Sequence, residues 1–189
     1  MEVRYPEMGI CGLSCQLCPR YHSNSKSRCE GCKSKTRMNA GCPFITCAIK
    51  KKEIEFCWEC PDNNKCEKWA KHREAGKKFD SFKCYQKLEE DIYFIQKNGF
   101  AAYKILQDTR EEILKEMLEN YNEGRSMSYY SIAATVLTIE ELKGALIKAS
   151  KDSKGLDIKS KSKILHSILD EIAQQKGYFL GLRKKVNFK

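Results

Sequence analysis

The chain has 189 residues, 11 of them cysteine, and a formal net charge of +10. Its length suits one compound domain or two small ones, and no stretch approaches the roughly 20 apolar residues that a membrane helix requires. Because no apolar leader follows Met1, we expect a cytoplasmic protein whose cysteines serve as metal ligands rather than forming disulfides.

The first part of the chain is poor in apolar residues and rich in thiols. Residues 1–79 hold 21 apolar residues other than cysteine, against 46 in residues 80–189, and ten cysteines lie between Cys11 and Cys66. So few apolar side chains cannot offset the chain entropy lost on folding. We therefore predict a small irregular metal-stabilised cysteine-rich module over residues 1–79, followed by an all-α helical bundle over residues 80–189.

The spacing of the ten cysteines predicts at least two metal centres. Pairs separated by two residues let both sulfurs reach one ion, and repeated pairs are typical of tetrahedral thiolate sites. Zn²⁺ is the favoured metal. A [4Fe–4S] cluster is the alternative, because proline follows a cysteine at three places, as it often does in ferredoxin-type ligation. The predicted ligands are Cys11, Cys15, Cys18, Cys29, Cys32, Cys42, Cys47, Cys57, Cys60 and Cys66.

Two further interpretations concern these cysteines. The spacing Cys11-x3-Cys15-x2-Cys18 equals the signature of radical S-adenosylmethionine enzymes, but the chain lacks the alternating strands and helices of their barrel. Ten thiols also do not divide into sets of four, so two are left over or a histidine, His22 or His72, completes a third site. Cys84 falls on the apolar face of a predicted helix, and we expect it in the core.

The cysteine-rich stretches resemble a known family, the domain of unknown function 3795. The resemblance rests on CGLSCQLCPRY, CEGCK, CPFITCA and CWECPDNNKCEKW, and it covers roughly residues 9–70. It implies metal binding at the ten cysteines, but no substrate. This chain departs from the family pattern at Asn63-Asn64-Lys65 and at Phe44, although no ligand is lost.

Helical periodicity begins after Asp80. A helix is predicted with Phe82, Tyr85, Leu88, Ile92 and Ile95 on one face, ending at Asn98-Gly99, and a second from Asp108 or Thr109 to Gly124. The run 128–137 predicts another helix, with a strand as alternative. Thr138 and Glu141 form a capping box that opens the next helix. Residues 148–163 are predicted as a polar connection before the last long helix, which ends at Gly177.

One turn in the helical part is a candidate anion site. If a helix begins near Ser126, its free backbone N–H groups converge with the side chains of Arg125, Ser126 and Ser128. An ordinary serine cap is the alternative.

Three functions remain open. A zinc-stabilised binding or adaptor protein, acting on an unknown protein partner or a small anionic ligand, is favoured because no general base, nucleophile pair or cofactor loop stands out. An iron–sulfur redox, sensor or accessory protein is second, and a nucleic-acid-binding protein is third. Eight thiolates around two Zn²⁺ would lower the net charge of residues 1–79 from +7 to +3, which weakens the nucleic-acid hypothesis. Membrane binding is not expected.

Overall fold

The computed structural model describes residues 2–40, 42–81 and 83–185. Across these ranges the chain is helical and contains no strand, apart from an isolated bridge between Met8 and Ser14. The helices are α1 Lys35–Ala40, α2 Pro43–Ile45, α3 Glu67–Lys78, α4 Leu88–Asn98, α5 Phe100–Tyr121, α6 Met127–Val136, α7 Ile139–Asp152 and α8 Ile158–Gln175. A π-helical segment Thr46–Lys51 and two 3-10 turns, Cys57–Glu59 and Asn63–Lys65, lie among the cysteines. None of the helices in these ranges has the length and apolarity to cross a membrane.

Helices α5 to α8 form the bundle that the sequence predicts. Helix α5 packs against α6, α7 and α8, and α7 packs along α8. Leu114, Met117, Leu142, Leu165 and Leu169 have no exposed surface at all, so they form the centre of the bundle. Cys84 joins the same cluster, which confirms its predicted place in the core.

The capping box at the start of α7 is confirmed. The Thr138 hydroxyl accepts the Glu141 N–H, and the Glu141 carboxylate accepts the Thr138 N–H. The predicted connection over residues 148–163 is wrong, because α7 continues to Asp152 and α8 begins at Ile158. Asp157 caps α8 by accepting the N–H groups of residues 159 and 160, so the lysines that follow are helical.

The predicted start of the second helix is also wrong. Helix α5 begins at Phe100, directly after Gly99, whose φ of 83° reverses the chain between α4 and α5. Asp108, the predicted cap, lies inside α5 and pairs with Lys104 one turn earlier. The preceding helix, α4, begins only at Leu88, so Tyr85 lies before it, and Phe82 falls outside the described residues.

The cysteine-rich part packs directly on the helices. Leu13 and Trp69 share an apolar cluster with Leu88 and Ile92 of α4. A second cluster joins Met8 and Phe56 to Ile95 and Tyr103, and Leu17 reaches the core of the bundle itself. Residues 1–79 are therefore anchored on α4 and α5 by apolar side chains, while the boundary between two domains at residues 79 and 80 stays a prediction.

Candidate metal centre

The loop that carries the first cysteines is folded by tight backbone hydrogen bonds. Cys18 donates its N–H to the carbonyl of Cys15 (3.0 Å), and Cys29 donates to the carbonyl of Arg20 (3.0 Å). Gly31 has a φ of 110°, and a Cβ there would stand 3.0 Å from the Pro6 carbonyl oxygen. Only glycine allows this close approach, which brings the neighbouring Cys32 alongside Cys15.

Four cysteines from two Cys-x2-Cys pairs meet around one small cavity. Cys15, Cys18, Cys29 and Cys32 all line it, and its volume is about 10 Å³. The backbone N–H of Cys32 donates to the sulfur of Cys15 over 3.3 Å, a contact that favours a negatively charged sulfur. We call these four residues the four-cysteine group.

A buried lysine faces the four-cysteine group. Lys83 is 6% exposed, and its Nζ lies 3.7 Å from the sulfur of Cys32 and 3.9 Å from that of Cys15. Burial lowers the pKa of Lys83, but the nearby thiols, with Cys15 and Cys32 first, outweigh it, so the pKa is raised. The lysine is not paired with a carboxylate in the ranges that the structure covers. Among the residues that the structure describes, the sulfurs and the Ser14 carbonyl oxygen, 3.4 Å away, compensate its charge.

The two thiols of the group that lie within 4 Å of the Lys83 ammonium, those of Cys15 and Cys32, have pKa values shifted in opposite directions. A hydrogen bond between them raises the pKa of Cys15 and lowers that of Cys32, and burial acts to raise both. The positive charge of Lys83 also helps to lower the pKa of Cys32. Cys32 is therefore the thiol of the pair that ionises first.

The later cysteines gather around Cys57. Burial, followed by the charges of Cys11, Cys66, Cys47 and Cys60, raises the pKa of Cys57 to about 12. Thiols that raise one another's pKa in this way lie close together, and a cation among them would reverse the effect. The 3-10 turn Cys57–Glu59 brings Cys57 and Cys60 close together, and the Cys60 N–H donates to the Cys57 carbonyl (3.3 Å).

Cys11 and Cys42 border a larger cavity of about 380 Å³, which they share with Cys32 of the four-cysteine group. Cys11 therefore does not line the small cavity with Cys15 and Cys18. Of the two candidate histidines, His72 lines the larger cavity, whereas the Nε2 of His22 is hydrogen-bonded to the Gln16 carbonyl. Burial lowers the pKa of His72, which favours the neutral ring that metals bind.

No three Cys, His, Asp or Glu side chains converge with the geometry of a metal site, so far as the described residues go. The cysteines line common cavities without meeting at bonding distance of one point. Metal binding at the ten cysteines therefore stays a prediction, and it requires the sulfurs of each group to turn toward one another.

The candidate anion site has a different arrangement from the predicted one. Ser126 is buried, and its hydroxyl donates to the Glu123 carboxylate (2.6 Å) and lies 2.8 Å from Nε2 of His166. Arg125 and Ser128 are exposed. The chain's own carboxylate thus engages this turn, and anion binding there stays a prediction without support from the contacts.

Sequence reasoning missed two lysines that shape the cysteine loops. One is Lys83, which carries no pattern that links it to the thiols. The other is Lys33, whose Nζ lies 2.8 Å from the Glu55 carboxylate and 3.0 Å from the Tyr5 carbonyl oxygen. The Lys33 and Glu55 side chains are 0% and 1% exposed, so the chain buries a complete ion pair beside Cys32. A lysine directly after a Cys-x2-Cys pair was the one available signal.

Comparisons with known proteins bear on the cysteine-rich part alone. Residues 7–71 match the family model described as a protein of unknown function, DUF3795. No curated protein and no solved structure matches the chain. The matched region holds all ten clustered cysteines, in agreement with the resemblance seen in their spacing. Over residues 7–71 the chain is therefore similar to the DUF3795 family of proteins of unknown function.

Proposed function

We propose that the cysteine-rich part is a zinc-binding module whose thiolate sites hold its loops against α4 and α5. One ion is held by Cys15, Cys18, Cys29 and Cys32, which line one cavity. A second is held by Cys47, Cys57, Cys60 and Cys66, four of the five thiols that lie together around Cys57, the fifth being Cys11. Two structural sites of this kind supply the stability that the region's few apolar residues cannot.

The size of the four-cysteine cavity is the observation that carries the choice of metal. About 10 Å³ is close to the space of a single water-sized sphere, so it suits one ion. A cube of four irons and four sulfides is much larger than this space. A tetrathiolate zinc site also carries a net charge of −2, which the buried ammonium of Lys83 offsets.

Helices α4 and α5 are the part that we propose meets a partner, which makes the whole chain a binding or adaptor protein of a reducing compartment. They expose large apolar side chains, among them Tyr93 (65%) and Ile105 (67%), for a partner protein to cover. The metal module then serves to hold α4 and α5, which carry these side chains, in place.

An iron–sulfur protein is the second candidate. The 380 Å³ cavity is large enough for more than one ion, and three thiols, those of Cys11, Cys32 and Cys42, border it. The proline that follows Cys42 fits that ligation pattern as well.

Metal analysis with a visible spectrum, on protein purified anaerobically and fully reduced, tests the proposal. We expect at least two zinc ions per chain and no absorption in the visible range. A brown protein with iron and acid-labile sulfide would select the iron–sulfur candidate. Less than one metal per chain would overturn both.

A further inference from the structure

A pocket beside the four-cysteine group is lined by positive charge. Residues 20–37, which contain the second Cys-x2-Cys pair of that group, hold six Lys or Arg and one Asp or Glu. One carboxylate, that of Glu30, lies on the wall of the pocket, whose volume is about 320 Å³. A concave surface lined by charges of one sign focuses the electric field and attracts the opposite charge. Four cations line this space, which we call the basic pocket: Arg20, Lys26, Arg28 and Arg37.

The four cations of the basic pocket form no ion pair with any carboxylate in the described ranges. Lys33 of the same segment differs, because its ammonium meets the Glu55 carboxylate. The Arg28 guanidinium lies over the Tyr21 ring, 5.2 Å from its centroid, which fixes its position. The Arg37 side chain is half-buried, and its guanidinium donates no hydrogen bond to a described residue. Its five N–H donors therefore remain for a ligand.

Hydroxyl groups complete the wall of the basic pocket. The Ser34 hydroxyl accepts the backbone N–H of Arg37 (3.4 Å), so its own proton remains to be donated. None of the described residues that line the pocket is aromatic or a large aliphatic residue. The pocket therefore suits a ligand rich in negatively charged oxygens rather than a ring or a hydrocarbon. The hydroxyls on the wall are those of Ser27, Ser34 and Thr36.

Charge compensation of the thiolates explains only two of the four cations. Arg20 and Arg37 also line the small cavity of the four-cysteine group, and the charge of Arg37 helps to lower the pKa of Cys32. Lys26 and Arg28 line the basic pocket but not that cavity. A negatively charged metal site thus leaves these two cations unaccounted for, whereas an anion in the basic pocket would contact them.

We propose that the basic pocket binds a small phosphate-bearing anion, whose oxygens accept hydrogen bonds from Arg28, Arg37 and the Ser34 hydroxyl. The planar guanidinium fork of arginine matches two phosphate oxygens at once. The volume of 320 Å³ lies at the lower end of small-molecule sites. A single-stranded nucleic acid is less suited, because it is usually bound on aromatic rings that stack its bases. The proposal goes beyond the zinc-binding function and does not depend on which metal the thiols hold.

Titration of the full-length, metal-loaded protein with inorganic phosphate tests the pocket. NMR of the arginine Nε–H groups follows binding residue by residue and needs no variant. We expect saturable shifts at Arg20, Arg28 and Arg37. The guanidinium of Arg73, which is paired with the Glu89 carboxylate outside the pocket, should not shift.

A double variant with a matched control tests which charges are responsible. In Lys26→Gln with Arg28→Gln, two exposed cations of the pocket are lost, and we expect phosphate to bind about tenfold more weakly. Lys50→Gln with Lys51→Gln removes the same charge from exposed positions outside the pocket and should leave the affinity at the wild-type value. Metal content is measured for every variant, so that loss of the metal module is distinguished from loss of the pocket.

Three outcomes would overturn the proposal. The first is a metal-loaded wild-type protein whose arginine signals show no saturable shift with phosphate. The second is equal weakening by both double variants, which would mean that phosphate responds to the net charge alone. The third is a single-stranded oligonucleotide that binds the same arginines far more tightly than phosphate does, with a steep salt dependence, which would assign the pocket to nucleic acid.

Discussion

The ammonium of Lys83 lies 3.7 Å from the sulfur of Cys32, although the two residues are 51 positions apart in the chain. The family match ends at residue 71, so this contact comes from outside the matched region. A residue of the segment before α4 thus completes the surroundings of the four-cysteine group. The contact links the proposed metal site to the helices.

Replacing this lysine should weaken the first metal site. In Lys83→Met, the hydrocarbon volume is kept but the charge that offsets the thiolates is lost, and we expect zinc affinity at one site to fall by roughly 10–100-fold. Titration with a coloured chelator measures the affinity. Lys97→Met, an exposed lysine at the end of α4, is the control and should match the wild type. If Lys83→Met and Lys97→Met gave up zinc to the chelator equally readily, Lys83 would play no part in metal binding.

The buried ion pair of Lys33 and Glu55 should be needed for stability. Glu55→Gln leaves the buried Lys33 without its counter-charge and should cost about 3–5 kcal/mol in the free energy of unfolding. Lys33→Met leaves Glu55 with the largely exposed Arg4 as its one remaining salt-bridge partner among the described residues, so its cost should lie at the lower end of that range. The double variant should cost less than the sum of the two. Urea unfolding of the metal-loaded proteins measures this.

The exposed pair of Glu67 and Lys71 is the matched control for that experiment. Their side chains are 85% and 79% exposed, so removal of either should change stability by less than about 1 kcal/mol. If Lys33→Met proved as mild as Lys71→Met, the buried pair would contribute nothing to the fold beyond its packing.

The parts of the fold that sequence predicted are those fixed by local chemistry. The capping box of Thr138 and Glu141 lies within four residues, so spacing alone identifies it. The start of α5 was missed because Asp108 looks like a helix cap, whereas it pairs with Lys104 and accepts a hydrogen bond from Gln16, 92 residues away in sequence. Such a contact across the fold leaves no local pattern.

The candidate site shows the same limit. Spacing identified ten ligand-type cysteines, and the Cys-x2-Cys pairs predicted local partners. Which pairs share a cavity depends on the path of the loops between them, which Gly31 and the buried Lys33 fix through tertiary contacts. That grouping, and the approach of Lys83, therefore could not be predicted from the chain alone.

Asp91 should make stability depend on pH. Burial raises the pKa of its carboxyl to about 7, although the Tyr103 hydroxyl donates to it and Arg110 is near. The unfolded chain loses this proton at about pH 4, so between about pH 4 and 7 the folded state binds more protons. The contribution of Asp91 to the free energy of unfolding therefore falls as pH rises through this window. The resulting destabilisation is complete above about pH 7.

Asp91→Asn should remove that dependence. Asparagine carries no charge and still accepts the Tyr103 hydrogen bond, so we expect the free energy of unfolding at pH 7.5 to rise by about 1–3 kcal/mol. The lower end is expected because part of the Asp91 surface remains exposed. Urea unfolding at pH 5.5 and 7.5 measures the change, with the exposed Asp152→Asn as control. A variant whose pH slope equals that of the wild type would contradict this account.

Removal of metal should affect the two parts of the chain unequally. Structural zinc supplies about 10–16 kcal/mol of binding free energy, as much as a whole domain's net stability, while α5 to α8 have an apolar core of their own. With a chelator, or in Cys57→Ser with Cys60→Ser, the cysteine loops should become sensitive to protease and most of the helical far-ultraviolet signal should remain. Acid should strengthen the effect, because protons compete with metal for the thiolates.

The packing of helix α4 determines how much of the chain becomes protease-sensitive when the metal is removed. Its residues Leu88, Ile92 and Ile95 pack on apolar side chains of the cysteine-rich part, so α4 should become protease-sensitive together with the loops. Limited proteolysis with mass spectrometry of the fragments measures this, and Cys84→Ala, a core cysteine outside the groups, is the control. Loops protected without metal would mean that these apolar clusters suffice to hold them. Loss of the whole helical signal in one step would mean that Leu17, which reaches the bundle core, ties both parts into one folding unit.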